Sequence, residues 1–169
     1  METPTFNNTE NIPHTSKETG ETIWASRSIA TCIRFCINQR GVKYYLFLKR
    51  GDNVTHTGMW CFPCGYLDFS ETVKQCARRE LYEETGLDIP ESYLKFTHLD
   101  DDPKKFLQNI TFHFDVEIMD DTGRLWNNLN DTVTKHVEEH INEGEVTEYM
   151  LMVEPKDIYE YAFGHDKLI

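Results

Sequence analysis

Three glutamates, Glu80, Glu83 and Glu84, constrain this 169-residue chain more than any other feature. Spacings of three and four residues put them on one side of a helix. Val73, Ala77 and Leu81 mark that helix with an apolar stripe that must face a core. Ser70 is the expected N-cap, Glu71 suits the positive end of the helix dipole, and Gly86 is a natural residue to close the helix. Glu84 adjoins the stripe and Glu80 flanks it, so the core-facing side turns acidic in its last turn. That arrangement is unfavourable twice, because like charges crowd together and do so at the negative end of the dipole. A bound cation offsets both penalties, and an all-oxygen cluster suits Mg²⁺ or Mn²⁺ rather than a thiolate-seeking metal. Arg79 can hold a neighbouring carboxylate through fixed hydrogen bonds. Taken alone, the carboxylates fit an ordinary charged surface helix equally well.

The formal net charge of -12 narrows the partners. Such a chain repels phosphate backbones, which argues against nucleic acid as a partner. A small anionic substrate meets the same repulsion unless cations bridge it, which again points to a metal. No stretch approaches 18 consecutive apolar residues, so no membrane span is expected. The first twenty residues are polar and lack the apolar segment of a secretory signal. Together with an odd number of cysteines (Cys32, Cys36, Cys61, Cys64 and Cys76) this predicts a cytoplasmic protein with reduced thiols.

Residues 1–21 read as a flexible polar tail and 22–169 as one domain. Residues 22–50 read as strands turning at Gln39-Arg40-Gly41. Tyr93–Leu99, Ile110–Ile118 and Val146–Val153 are further strands, and Phe112, Phe114, Val116 and Ile118 form one period-two face. Asp131–Asn142 reads as a polar helix and Pro155–Phe163 as a final one. Strands interspersed with a few helices predict an α+β or layered α/β/α domain.

The full stretch from Gly65 to Leu87 is far more specific than its carboxylates. Gly65 is followed after five intervening residues by Glu71, and after seven more by Arg79-Glu80-Leu81, then Glu83-Glu84 and Gly86-Leu87. This pattern resembles the Nudix box position for position. A chance match in a chain of this length is on the order of one in a million. The resemblance implies a mixed β-sheet sandwiched between α-helices, with the box forming a loop–helix–loop. It implies that Glu80, Glu83 and Glu84 bind Mg²⁺ or Mn²⁺ and that Glu71 and Arg79 support the helix and orient the carboxylates. The reaction it implies is attack of an activated water on a diphosphate. Glu83 and Glu84 are candidates for the general base, with Glu145 and Glu148 as candidates outside the box. One departure is Cys64-Gly65 where the family usually has Gly-Gly, which bears on whether the residue-64 carbonyl can reach a metal.

Other signals are weaker. Lys49, Arg50, Lys104 and Lys105 are candidate contacts to substrate phosphates, and Trp60, Phe62 and Phe106 are candidate stacking residues whose default role is core packing. Cys61-Phe62-Pro63-Cys64 lacks the second pair that zinc needs, and buried thiols are the better reading. His136-Val-Glu-Glu139-His140 matches an inverted zinc-peptidase motif, the rival from another enzyme class, against a solvated helix. Pro103 resembles the proline of ADP-ribose-type members, no tyrosine stands over Pro103–Lys105 where dinucleoside-polyphosphate members place one, and Tyr161–Asp166 resembles the C-terminal helix of ADP-ribose-like and regulator-type members, so ADP-ribose or a nucleotide sugar is favoured. A ligand-sensing module and a prenyl-diphosphate isomerase on the same fold are the alternatives. A homodimer is an expectation from the fold.

Overall fold

A computed structural model of the chain describes residues 11–104, 109–152, 161–163 and 165. The polar start of the chain carries a hairpin, β1 (Ile12–Thr15) against β2 (Thr22–Ala25), every residue of which is exposed. The expected tail boundary at residue 21 therefore falls inside a hairpin.

Nine described strands include one seven-stranded mixed sheet. Its centre is β3 (Ile29–Gln39), joined to β4 (Val42–Arg50) by the expected two-residue turn, with Arg40 and Gly41 both at positive φ. β3 pairs antiparallel with β4 and β6 (Cys64–Tyr66), and parallel with β8 (Ile110–Met119) from Ile29↔Ile110 to Asn38↔Met119. β7 (Lys95–Asp100) edges the sheet beyond β8, while β5 (Trp60–Cys61) and β9 (Val146–Met152) pair with β4.

Alternation along β3 makes two cores. Ile33, Phe35 and Ile37 pack with Leu46, Leu48, Phe114 and Val116 on one face. Cys32, with Phe47 and Phe62, forms a smaller cluster on the other. Both described helices, α1 (Val73–Thr85) and α2 (Arg124–His140), contribute to the first cluster, through Ala77 and Leu81 and through Val133 and Val137. The helix expected at Pro155–Phe163 lies mostly outside the described residues; Tyr161 there packs on the smaller cluster. No described helix is long and apolar enough to cross a membrane.

Two boundaries differ from expectation. α1 is capped by Thr72, not Ser70: the Thr72 hydroxyl accepts from the Gln75 amide and Gln75 reaches back to the Thr72 amide, a reciprocal capping box. Ser70 stands two residues earlier at φ 66. α2 begins at Arg124, well before Asp131, and is amphipathic rather than polar; Trp126 and Leu129 extend the stripe of Val133 and Val137.

Candidate active site

The α1 helix packs against β6, so the strand backbone at Gly65 meets the helix side chains. Any Cβ on Gly65 would collide with the carboxyl group of Glu80. Gly65 lies outside the left-handed region. Its glycine is thus required by close approach and not by backbone conformation. Cys64 likewise has no positive φ, so the usual glycine's freedom is not needed at that position. It pairs opposite Cys32, while the ladder bond runs through the neighbouring Ile33 and Pro63 (2.8 Å). The Cys64 backbone groups therefore turn away from β3, and its N–H donates to Glu84 Oε2 at 3.0 Å.

Arg79 organises the remaining carboxylates. Its Nε and Nη2 donate to the two oxygens of Glu71 at 3.1 and 2.6 Å, Nη1 donates to Glu80 at 2.7 Å and Glu83 at 2.9 Å, and Nη2 also reaches the Tyr66 carbonyl at 2.9 Å. Only a planar guanidinium presents donors enough for this fork. The box residues Glu71, Arg79, Glu80 and Glu83 thus form one hydrogen-bonded unit, with Glu84 on its inner side.

The same arginine leaves its partners with opposite titration behaviour. Glu71 takes two of its hydrogen bonds and a third from the Asp68 amide, and its pKa falls to about 2. Glu80 takes one, and burial outweighs it, so its pKa is raised. Among the described residues no arginine hydrogen-bonds Glu84; burial, then negative charge at Cys61 and Glu80, outweigh the Cys64 amide and the Arg50 charge and hold it well above the usual carboxylate range. The depressed Glu71 contributes stability above its unfolded pKa of about 4.5 and loses it as pH falls through about 2. Glu71→Gln should therefore cost on the order of 2 kcal/mol at pH 7, after discounting for solvent at Arg79. Urea titrations at a series of pH values should show that difference steady above pH ~5 and shrinking from pH ~4.5 towards ~2; a pH-independent difference would contradict the ion-pair origin.

A cavity of about 370 Å³ opens over this unit, a size suited to a small ligand. Glu80, Glu84, Arg79 and Gly65 line one side, and Arg50, Phe163 and Glu145 are also in its wall. Arg50 donates to the Thr55 carbonyl at 2.6 Å and its guanidinium lies 4.8 Å from the Phe163 ring centroid. Oxygen donors gathered around a glycine that leaves room for them suit a hard divalent cation. Among the described residues, however, no three His, Cys, Asp or Glu side chains converge as a finished ligand set, and Arg79 holds Glu80 and Glu83.

Other expected contacts fall elsewhere. Lys49 and Glu148 pair with each other at 3.0 Å across β4 and β9 and are absent from the cavity wall, and Lys49 covers the Trp60 ring. Lys104 is exposed outside the cavity, while Lys105 and Phe106 lie outside the described residues. Phe62 is fully buried in the smaller core. All five cysteines are unpaired. Cys61 and Cys64 share a thiol hydrogen bond that lowers the pKa of the first and raises that of the second. His136 Nε2 donates to the Glu83 carbonyl at 2.7 Å and His140 Nδ1 to the His136 carbonyl at 2.8 Å. These bonds make the pair a brace for the end of α1 rather than the ligands of a peptidase cleft.

Cavity residues not singled out from the sequence include Tyr66, Asp68 and Asn109, whereas Phe163 and His165 lie in the Tyr161–Asp166 segment that the sequence did point to. Asn109 donates to the Tyr66 hydroxyl at 3.3 Å, and the buried His165 accepts the Phe62 amide at 3.0 Å. Asp68 lies within the box, and its position beside Glu71 was the one available signal.

Comparison with known proteins adds to this geometry. The family model of the NUDIX domain matches residues 27–169. Among solved structures, the chain is similar to the NUDIX domain of Shewanella oneidensis NrtR, in complex with ADP ribose, at TM-score 0.59 and 15% identity over 85% of this chain and 84% of that one. A mutT/nudix family protein from Listeria innocua matches at TM-score 0.55 and 21% identity, over 83% and 88%. A MutT/nudix family protein from Enterococcus faecalis matches at TM-score 0.53 and 17% identity; the shared part is 60% of this chain and only 40% of that one. At these identities the likeness concerns the fold. A search of curated proteins found no match.

Proposed function

The chain belongs to the NUDIX family, and from that premise we propose that it is a Mg²⁺- or Mn²⁺-dependent pyrophosphohydrolase. Its substrate would be a nucleoside diphosphate linked to another moiety, with ADP-ribose or a nucleotide sugar favoured. The observation that carries this reading is the joint placement of Glu80 and Glu84 at a cavity wall that also presents the cationic Arg50. Glu80, Glu83 and Glu84 would hold the cation, and Arg79 and Glu71 would position them. When bound, the cation would neutralise diphosphate oxygens and lower the pKa of an attacking water. Glu83 and Glu84 are the candidate bases for that water. Arg50 would meet a phosphate, and the Phe163 ring beside it offers a planar group a stacking surface. Support for the ADP-ribose preference comes from the bound ligand of the Shewanella oneidensis domain. Five unpaired cysteines suit the reducing cytoplasm.

The test is hydrolysis of a panel containing ADP-ribose, nucleotide sugars, dinucleoside polyphosphates and prenyl diphosphates, with Mg²⁺ or with chelator. The expected result is cleavage between the two phosphorus atoms of ADP-ribose or a nucleotide sugar, releasing a nucleoside monophosphate, and no cleavage with chelator. Tight ADP-ribose binding without turnover would make the protein a sensor instead. Isomerised prenyl diphosphate would point to the third chemistry.

A further inference from the structure

The loop after β4 contains a feature that the box does not account for. Three successive carbonyls before β9 are each held from that loop. Asn53 Nδ2 donates to the Glu143 carbonyl at 2.7 Å, the Asn53 amide to Gly144 at 3.0 Å, and the Gly51 amide to Glu145 at 2.8 Å. At Gly51 and Gly144 the two segments approach too closely for a side chain on either glycine. A Cβ on Gly51 would collide with the Gly144 carbonyl, and one on Gly144, at φ 75, would strike the Asn53 side chain. Just beyond, the β4–β9 ladder shifts register, from Lys49↔Glu148 to Arg50↔Val146. Such a bulge re-aims the side chains next to it. Glu145 is the residue delivered: it lines the cavity over the box with Glu80 and Glu84, and a small cleft with Glu83 and His140.

We infer that Asn53 is a positioning residue that clamps the 143–145 segment and so sets Glu145 against the box carboxylates as a further acidic group of the cation site. The inference rests on the function proposed above. Glu145 shares the wall of one cavity with Glu80 and Glu84, so like charges gather and repel there in the metal-free protein. A cation between them relieves that repulsion, and its affinity then depends on where Glu145 is held. Asn53 is exposed and touches none of the box glutamates through any observed bond, so it acts through Glu145 or not at all.

The experiment is a double-mutant cycle read by Mn²⁺ binding, with the electron paramagnetic resonance signal of free Mn²⁺ as the probe, alongside kcat and KM on the best substrate of the panel. Asn53→Ala and the isosteric Asn53→Asp, which cannot donate to Glu143, are each expected to weaken Mn²⁺ binding by roughly three- to tenfold. They should lower kcat more than they raise KM. Asn53→Ser, which keeps a shorter donor, should fall between them and the wild type. In a Glu145→Gln background, Asn53→Ala should have no further effect on Mn²⁺ affinity. Effects that multiply, or Asn53 variants that bind Mn²⁺ as the wild type does, would overturn the inference. A wild type that binds Mn²⁺ and shows this coupling but cleaves nothing in the panel would sink the proposed reaction and leave Asn53 its role; one that binds no Mn²⁺ would overturn both.

Discussion

Glu84→Gln is expected to lower turnover on the order of 10³-fold and, at the same time, to raise the thermal midpoint of the metal-free protein. The two effects have one cause. Burial and neighbouring negative charge push the Glu84 pKa well up in the folded chain, whereas the unfolded chain lets it ionise near 4.5. The folded state therefore binds a proton that the unfolded state releases. Stability is greatest below pH ~4.5 and declines as pH rises from there through the folded value. Gln carries no charge and keeps an oxygen to accept the Cys64 amide. At neutral pH the metal-free variant should therefore melt above the wild type. Glu83→Gln should cost a similar factor in turnover without the gain, because Glu83 is exposed and paired with Arg79. Melting curves with and without Mg²⁺ check both: Mg²⁺ should raise the midpoint of the wild type and have little effect on Glu84→Gln. A Glu84→Gln protein that melts below the wild type without metal would contradict the account of Glu84 as a residue retained at a cost to stability.

What the sequence discloses divides along one line. The α1 helix and its carboxylates lie within one continuous segment, so spacing alone places Glu80, Glu83 and Glu84 beside Arg79. The β3–β4 hairpin and the apolar face of β8 are legible for the same reason, since local turn residues and alternation are enough. Two misplaced boundaries were also local. Thr72-x-x-Gln75 spells the true cap, and Trp126, Leu129, Val133 and Val137 extend a helical stripe well before Asp131. By contrast, Asn53 meets Gly144 only because β9 adds to β4, and Asn109 meets Tyr66 only because β8 runs parallel to β3. His165 reaches the Phe62 amide from the far end of the chain. Long-range pairing also separates Arg50, which lines the cavity, from Lys49, which pairs with Glu148 across the sheet. No spacing rule distinguishes those two neighbours until the strand's facing is known.

Arg79→Ala should be the most destabilising single change at this site and should show how far the metal-free protein relies on an internal cation. Arg79 is only 27% exposed and bridges Glu71 at 14% and Glu80 at 13%. Removing it leaves two largely buried carboxylates and the more exposed Glu83 without their shared counter-charge. Losing one partner of such a buried network costs about 3–5 kcal/mol, and partial exposure of the arginine reduces that to roughly 2–3 kcal/mol. Arg79→Lys separates charge from geometry. A lysine restores the charge but offers a compact ammonium where Glu71, Glu80, Glu83 and the Tyr66 carbonyl require a planar fork. It should therefore recover less than half of the lost stability, measured by urea denaturation without divalent ions. Added Mg²⁺ should restore more stability to Arg79→Ala than it adds to the wild type, because an arriving cation then meets carboxylates with no competing guanidinium. Turnover should stay low in both variants, since the metal can replace the arginine's charge but not the directions in which its donors hold Glu80 and Glu83. If Arg79→Lys instead matches the wild type in stability and turnover, charge alone organises the site, and the guanidinium fork is dispensable.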